Sequence, residues 1–225
     1  MQYIKLSHAL KESSPVHIGL KKLEIIPNSQ VSKGGGYNSY IISVENHCGT
    51  HIDAPRHFLD DGKTIYDYNQ DELVFNNPLI LDLPKKHEEL IKLEEISDLY
   101  LEGIDCLIFH TGFGKYRKED PETYLSLNPG MEPELIYRIR QKYPNIKCIG
   151  IDCVSISNFK KPGQGKKAHL NAFMKNEELG EPLLLVEDMK LEKVKDTDSI
   201  ESIIVVPWQI KGIDSAPCTV IAKLK

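Results

Sequence analysis

Residues 104–154 run IDCLIFHTGFGKYRKEDPETYLSLNPGMEPELIYRIRQKYPNIKCIGIDCV, two apolar segments on either side of an amphipathic one. Ile104 to His110 is a short, mostly apolar run, which predicts a buried strand. Thr111 to Pro129 is polar and reads as a loop. Glu132 to Tyr143 puts Leu135, Ile136 and Ile139 on one side of a helix. Lys147 to Val154 is a second apolar run between turn signals, and so a second buried strand. Working outward, further strands are expected at Tyr3–Leu6, Lys22–Ile26, Tyr40–Val44, Asn77–Leu83, Leu183–Val186, Ile203–Pro207 and Thr219–Lys223. Lys85–Tyr100 is expected to be helical, with apolar residues at 90, 93, 96 and 99–101. Residues 162–167 read as a loop, and 168–176 as either helix or loop. Strands mixed with two or three helices give an α/β class with a mixed sheet.

The 225 residues are enough for one large domain and short for two, so residues 1–225 are expected to form a single domain. Lys and Arg number 28 against 33 Asp and Glu, a net charge of −5, which argues against a general nucleic-acid binder. No apolar run approaches the ~20 residues of a membrane span. The first fifteen residues lack the apolar stretch and small-residue cleavage site of a signal peptide. The cysteines number five, an odd count that agrees with a reducing compartment, and the lack of a CxxC pair argues against a zinc ribbon or thioredoxin-type site. A cytoplasmic location is therefore expected.

Residues 46–58 read NHCGTHIDAPRHF, and carry His47, His51, Asp53 and His57 in a chain with eight histidines. His51 and Asp53 are two apart, so in extended backbone they project from one face. Gly49 and Pro55 oppose a helix here. A strand turning at Cys48-Gly49 would bring His47 back towards the other two. Imidazoles with a carboxylate suit zinc, manganese or iron(II). Any one of these histidines alone reads as a solvated or hydrogen-bonded loop residue; H-x3-H-x-D-x3-H as a unit reads as a metal site.

HCGTHIDAPRH resembles the signature of the cyclase-like metal-dependent hydrolases, the family of bacterial kynurenine formamidase (arylformamidase) and isatin hydrolase. IKLSHAL, FHTGFGKY, IGIDCVSIS, AHLNAFM and LLLVEDMKL resemble its other landmarks in order, from residue 3 to about 195. The resemblance implies a swivelling β/β/α domain. It implies that His47, His51 and Asp53 ligate metal, with Asp53 able to bridge two ions, that His169 ligates the second, and that Glu187, beside Asp188, completes the site. His57 is then the general acid/base. One or two divalent ions, Zn or Mn, are the implied cofactor. The implied reaction is hydrolysis of a C–N bond in a small formamide, amide or lactam, by a homo-dimer or homo-tetramer. One departure concerns the substrate: where the formamidases carry a tryptophan in an early turn, this chain reads Pro15-Val16-His17-Ile18-Gly19, which makes His17 a candidate pocket residue. The competing readings are a non-catalytic metal- or ligand-binding protein and a dehydratase or cyclase on the same scaffold.

The chemistry stands beside the resemblance. A divalent ion brings the pKa of bound water from ~15.7 to about 7. A bridge needs a carboxylate, whose two oxygens can each take one ion, so Asp53 is the natural bridge. An imidazole, whose ordinary pKa is ~6.5, suits proton transfer to a leaving amine, the role the resemblance gives His57. Other motifs fail. The P-loop tail Gly62-Lys63-Thr64 has His57 where the first glycine belongs, and Gly112-x-Gly114-x-x-Arg117 ends in arginine. Gly163-x-Gly165-x-x-Ala168 lies nine residues after its strand and reads as a turn, with Lys160, Lys161, Lys166 and Lys167 in a solvated loop or lid. Asp152 and Ser155 are read as supports for a ligand or loop.

Overall fold

The computed structural model describes residues 2–194 and 199–225. Its strands are β1 (Gln2–Lys5), β2 (Glu24–Ser29), β3 (Ser39–Ser43), β4 (His51–Asp53), β5 (Val74–Phe75), β6 (Pro78–Asp82), β7 (Leu90–Ile91), β8 (Cys106–His110), β9 (Gly130–Met131), β10 (Cys148–Ile151), β11 (Leu184–Glu187), β12 (Ile200–Pro207) and β13 (Ser215–Leu224). The helices are α1 (Tyr116–Glu119), α2 (Pro121–Ser126), α3 (Pro133–Lys142) and α4 (Pro162–Phe173).

One mixed sheet runs β5-β12-β13-β4-β11-β10-β8-β6, with β1 also paired to β13. β6, β8, β10 and β11 are parallel neighbours. From β11 onward through β4, β13, β12 and β5 every pairing is antiparallel. β5 and β6 end the order yet are joined by Asn76 and Asn77 alone, so the sheet must curl until it nearly closes. This is the α/β fold with a mixed sheet that the sequence predicts.

Period-two alternation places a core on each face. In β8, Leu107 and Phe109 face α3 and α4, together with Ile149, Ile151 and Leu185. Cys106 and Ile108 face the inside of the curl, with Cys148, Ile52, Val186, Ile203 and Val220. All five cysteines are buried and free. No helix among the described residues is long and apolar enough to cross a membrane.

Three expectations are corrected. Lys85–Tyr100 is not a helix: it holds β7 and a short 3-10 turn at Leu93–Glu95. Its buried residues Ile91 and Ile96, and Leu101 just beyond it, recur every five positions while Tyr100 is exposed, and parallel pairing of β7 with β9 overrides helix propensity. The expected loop at 162–167 is the start of α4, with Pro162 at the first turn. Its glycines hid it, since each costs a helix ~1 kcal/mol. Gly165 is required by packing: a Cβ there would lie 2.3 Å from Ser157 Oγ. Lys166 and Lys167 therefore sit on a helix, not on a lid. The 111–129 loop holds α1 and α2, the latter capped by the Asp120 carboxylate accepting from the Thr123 amide at 3.1 Å, with Pro121 next.

Arg140 of α3 is buried and donates to the carbonyls of Asn171, Met174, Gly180 and Glu181. It thereby fixes the C-terminal end of α4, the helix that presents His169.

Candidate metal centre

The site is assembled on the helix-facing side of three adjoining strands. In β4, Ile52 enters the curled core, so His51 and Asp53 point the other way. Register places Glu187 of β11 opposite His51, and Ser215 of β13 opposite Asp53. α4 packs over this face and delivers His169. His47 returns because the chain reverses at Gly49, which has φ +71°, a region a side chain rarely occupies. Leu10 fills the space where a Cβ would be, 2.2 Å from its Cδ2.

Each imidazole is aimed by the bond its other nitrogen makes. His51 Nδ1 donates to the Gly49 carbonyl at 2.8 Å, leaving Nε2 turned inward. His169 Nδ1 donates to the Gly165 carbonyl at 2.9 Å, with Ser157 Oγ at 3.2 Å. His47 Nε2 and His57 Nδ1 both donate to Asp214 Oδ2, at 2.9 and 2.8 Å. Asn46 Nδ2 donates to the other oxygen of Asp214 at 2.7 Å. The Ile156 amide and Ser155 hydroxyl donate to Glu187 Oε1 at 2.7 and 3.0 Å, orienting that carboxylate. Such partners set the tautomer and direction of a ligand.

The inward atoms converge without bonding one another. His51 Nε2 is 3.5 Å from both Asp53 Oδ1 and Glu187 Oε2. His169 Nε2 is 3.5 Å from Glu187 Oε1. His47 Nδ1 is 3.1 Å from Asp53 Oδ1, but not aligned as a hydrogen bond. His51 Nε2 and both Asp53 oxygens are thus buried with no hydrogen-bond partner, although a buried polar atom left unpaired costs ~1–3 kcal/mol. Neighbouring ligands ~2.1 Å from a tetrahedral ion stand roughly 3.4 Å apart, and these pairs lie at 3.1–3.5 Å. Two sets of atoms close enough to share an ion, His47–Asp53–His57 and His51–Asp53–Glu187, meet at Asp53. The residues present fit one divalent cation, or two bridged by Asp53.

Electrostatics agree. Burial alone would push the Asp53 and Glu187 carboxyls up; His51 and His47 outweigh it at Asp53, and His169 and His51 at Glu187, so both are held down. Burial depresses His47, but Asp214 and Asp53 outweigh it and raise its pKa to about 10. Burial would raise Asp214 too, and its bonds from His47 and His57 hold it low. Asp53 is inaccessible, whereas the side chain of His57 is 27% exposed. His57 therefore stands at the mouth, its ring centroid 4.3 Å from that of His47.

Asp188 is turned away from the site. It has φ +52°, and its carboxylate accepts from Arg117 at 2.7 and 2.8 Å and from the Tyr124 hydroxyl at 2.6 Å. Asp152 accepts from the Thr111 amide and hydroxyl, at 2.9 and 2.6 Å, and so holds a loop. His17 belongs to neither ligand set; its ring lies 6.3 Å from that of Phe159. A cavity of about 480 Å³ opens beside Pro55, Phe173 and Glu181 but is lined by none of the clustered residues. Sequence reading missed Asp214, Asn46 and Phe58, whose ring stacks on His169 at 4.7 Å. Asn46 and Phe58 flank the quoted histidines; Asp214 is 157 residues beyond His57, and only its place just before an apolar strand marks it.

Residues 4–158 match the Cyclase family model, described as "Putative cyclase". The kynurenine formamidase of Geobacillus thermodenitrificans is 32% identical over 155 residues, covering 68% of this chain and 69% of that protein. The kynurenine formamidase of Bacillus mycoides is 26% identical over 219 residues, covering 96% and 94%. Among solved structures, isatin hydrolase A from Labrenzia aggregata bound to benzyl benzoate has a TM-score of 0.81 at 20% identity, covering 98% of this chain and 93% of that one. A protein described as a predicted metal-dependent hydrolase, from Bacillus stearothermophilus, gives 0.75 at 19% identity, covering 98% and 97%. At such identity these two structures establish the fold alone.

Proposed function

Because this chain belongs to the Cyclase family, we propose that it is a metal-dependent hydrolase of a small, non-peptide C–N bond in a formamide, amide or lactam. The observation that carries this is the convergence of His51 Nε2 and both Asp53 oxygens, buried and unpaired. The kynurenine formamidase and isatin hydrolase relatives support the reaction class.

In this reading His47, His51, Asp53, His169 and Glu187 hold one or two divalent ions, zinc or manganese, the choice their N/O donors favour. Such an ion, when bound, makes water nucleophilic near neutral pH and polarises a carbonyl. The remaining work falls to the chain. Asp53, deepest in the site, brings negative charge to both halves of the ligand set. Asp214 accepts the Nδ1 proton of His57, so Nε2 is the nitrogen left to exchange a proton with substrate. His57 takes a proton from attacking water and returns it to the departing nitrogen. Phe58 and Phe173, whose ring is 6.5 Å from that of His57, keep bulk water from one side. The free cysteines favour a cytoplasmic enzyme, and the 225 residues act as one domain.

The test is elemental analysis of purified protein, followed by assays on N-formyl-arylamines and lactams with and without chelator. Bound zinc or manganese and chelator-sensitive hydrolysis are expected; no metal, with chelator-indifferent activity, overturns the reading. His57→Ala should keep its metal and lose turnover. Retained turnover would remove the acid/base role.

A further inference from the structure

α4 presents two rings to the site. His169 and Phe173 are four residues apart, about one helical turn, and so lie on one face. The Phe173 ring centroid is 6.0 Å from that of His169, 6.5 Å from His57 and 6.3 Å from Phe58. Those three rings lie 4.7–5.7 Å from one another, so Phe173 caps the triangle they make. It is fully buried. Its backbone is held on both sides. Arg140 donates to the carbonyls of Asn171 and Met174, and the Ala172 carbonyl accepts from the Leu183 amide at 2.9 Å.

Phe173 also lines the cavity of about 480 Å³. Pro55, two residues past Asp53, and Leu59, next to Phe58, share that lining with Met174 and Pro182, which makes much of the wall apolar. The cavity thus comes within one side chain of His57 and His169, yet none of the clustered ligands reaches it. A volume of that order holds a small ligand. An acyclic amide in the trans form carries the substituents of its carbonyl carbon and its nitrogen on opposite sides. With the nitrogen beside His57, whose side chain is 27% exposed, the nitrogen's substituent leaves through the mouth. The carbonyl's substituent is then directed inward, to the closed side where Phe173 stands.

Resting on the amide-hydrolase reading, we propose that Phe173 is the specificity-determining wall of the acyl side. It limits the group on the scissile carbonyl to a short one, and the cavity behind it is the room that longer acyl groups gain when it is cut back. For the metal-loaded wild type, kcat/KM should fall steeply from N-formylaniline to N-hexanoylaniline, and little when an alkyl chain of the same length is placed on the ring of N-formylaniline. Phe173→Ala should raise the hexanoyl-to-formyl ratio by roughly 100-fold or more, since one methylene in an apolar pocket is already worth ~10–200-fold. Adding Leu59→Phe, which refills the cavity, should take back most of that gain. Phe173→Leu, the milder cut, should raise the ratio roughly tenfold and serves if the alanine variant does not fold. A wild type that treats the two acyl groups alike, or variants whose ratio stays close to that of wild type, would overturn the proposal. If the wild type hydrolyses none of these anilides, the reaction class fails instead, and calorimetry still decides the wall. N-hexanoylaniline should then bind the Phe173 variants roughly tenfold tighter than wild type or better, and equal affinity would overturn the proposal.

Discussion

Asp214→Asn tests the group that organises the mouth of the site. The carboxylate receives three hydrogen bonds, from His47, His57 and Asn46. Asparagine keeps the shape but has one carbonyl oxygen, so it cannot accept on both sides. Turned with its oxygen to the imidazoles, it sets its NH2 against the Asn46 amide; turned the other way, it forces His57 to carry its proton on Nε2. A bond to a charged acceptor is worth ~1.5–3 kcal/mol and a neutral one ~0.5–1.5. Two imidazole bonds weakened in this way cost about 1–3 kcal/mol, at the lower end because the side chain is 28% exposed and partly screened. At ~1.4 kcal/mol per tenfold, metal affinity should fall roughly tenfold through His47. Turnover at saturating metal should fall by a further ~10–100-fold through His57. Competition with a chromogenic chelator reads the first, and initial rates on an N-formyl-arylamine read the second. Values within twofold of wild type in both assays would refute the argument.

Two further outcomes follow from the same geometry. Gly49→Ala must place a Cβ at φ +71° against Leu10. It should cost ~2–4 kcal/mol, about 4–16 °C in melting temperature, and weaken metal binding by turning the Gly49 carbonyl from His51; an unchanged melt would contradict it. In the metal-free protein, His47 is raised from an ordinary ~6.5 to about 10. Its protonation therefore supports the folded state fully below about pH 6.5, and that support is lost as pH climbs through about 10. Since a metal binds the neutral ring, binding at pH 8 should release at least one proton per chain. Titration calorimetry in two buffers of different ionisation enthalpy measures this, and zero release would count against it.

How much could be read from the sequence follows from how local each cause is. The strands of residues 104–110 and 147–154 announce themselves because burial on both faces demands a continuous apolar run. His51 and Asp53 are legible because period two is enough to align them. β7 was hidden because its pairing with Gly130–Met131 is a tertiary bond that no window around Leu90 contains. α4 was hidden because Gly165, a poor helix residue, is there for contact with Ser157. Asp214 reaches His57 only through the pairing of β13 with β4, so its role becomes visible with topology. Glu187 and Asp188 are distinguished by backbone alone: the left-handed turn at Asp188 sends its carboxylate to Arg117 and leaves Glu187 on the site.

The atoms converging on Asp53 act as metal ligands in the proposed mechanism. Anomalous diffraction from crystals of zinc- or manganese-loaded protein, collected at the absorption edge of that metal, tests it most directly. A peak is expected ~2.0–2.2 Å from ligating atoms of His51 and Asp53, with His47, His169 and Glu187 around it. Loaded crystals with no peak there, and with His51 Nε2 and Asp53 satisfied by protein groups instead, would contradict it.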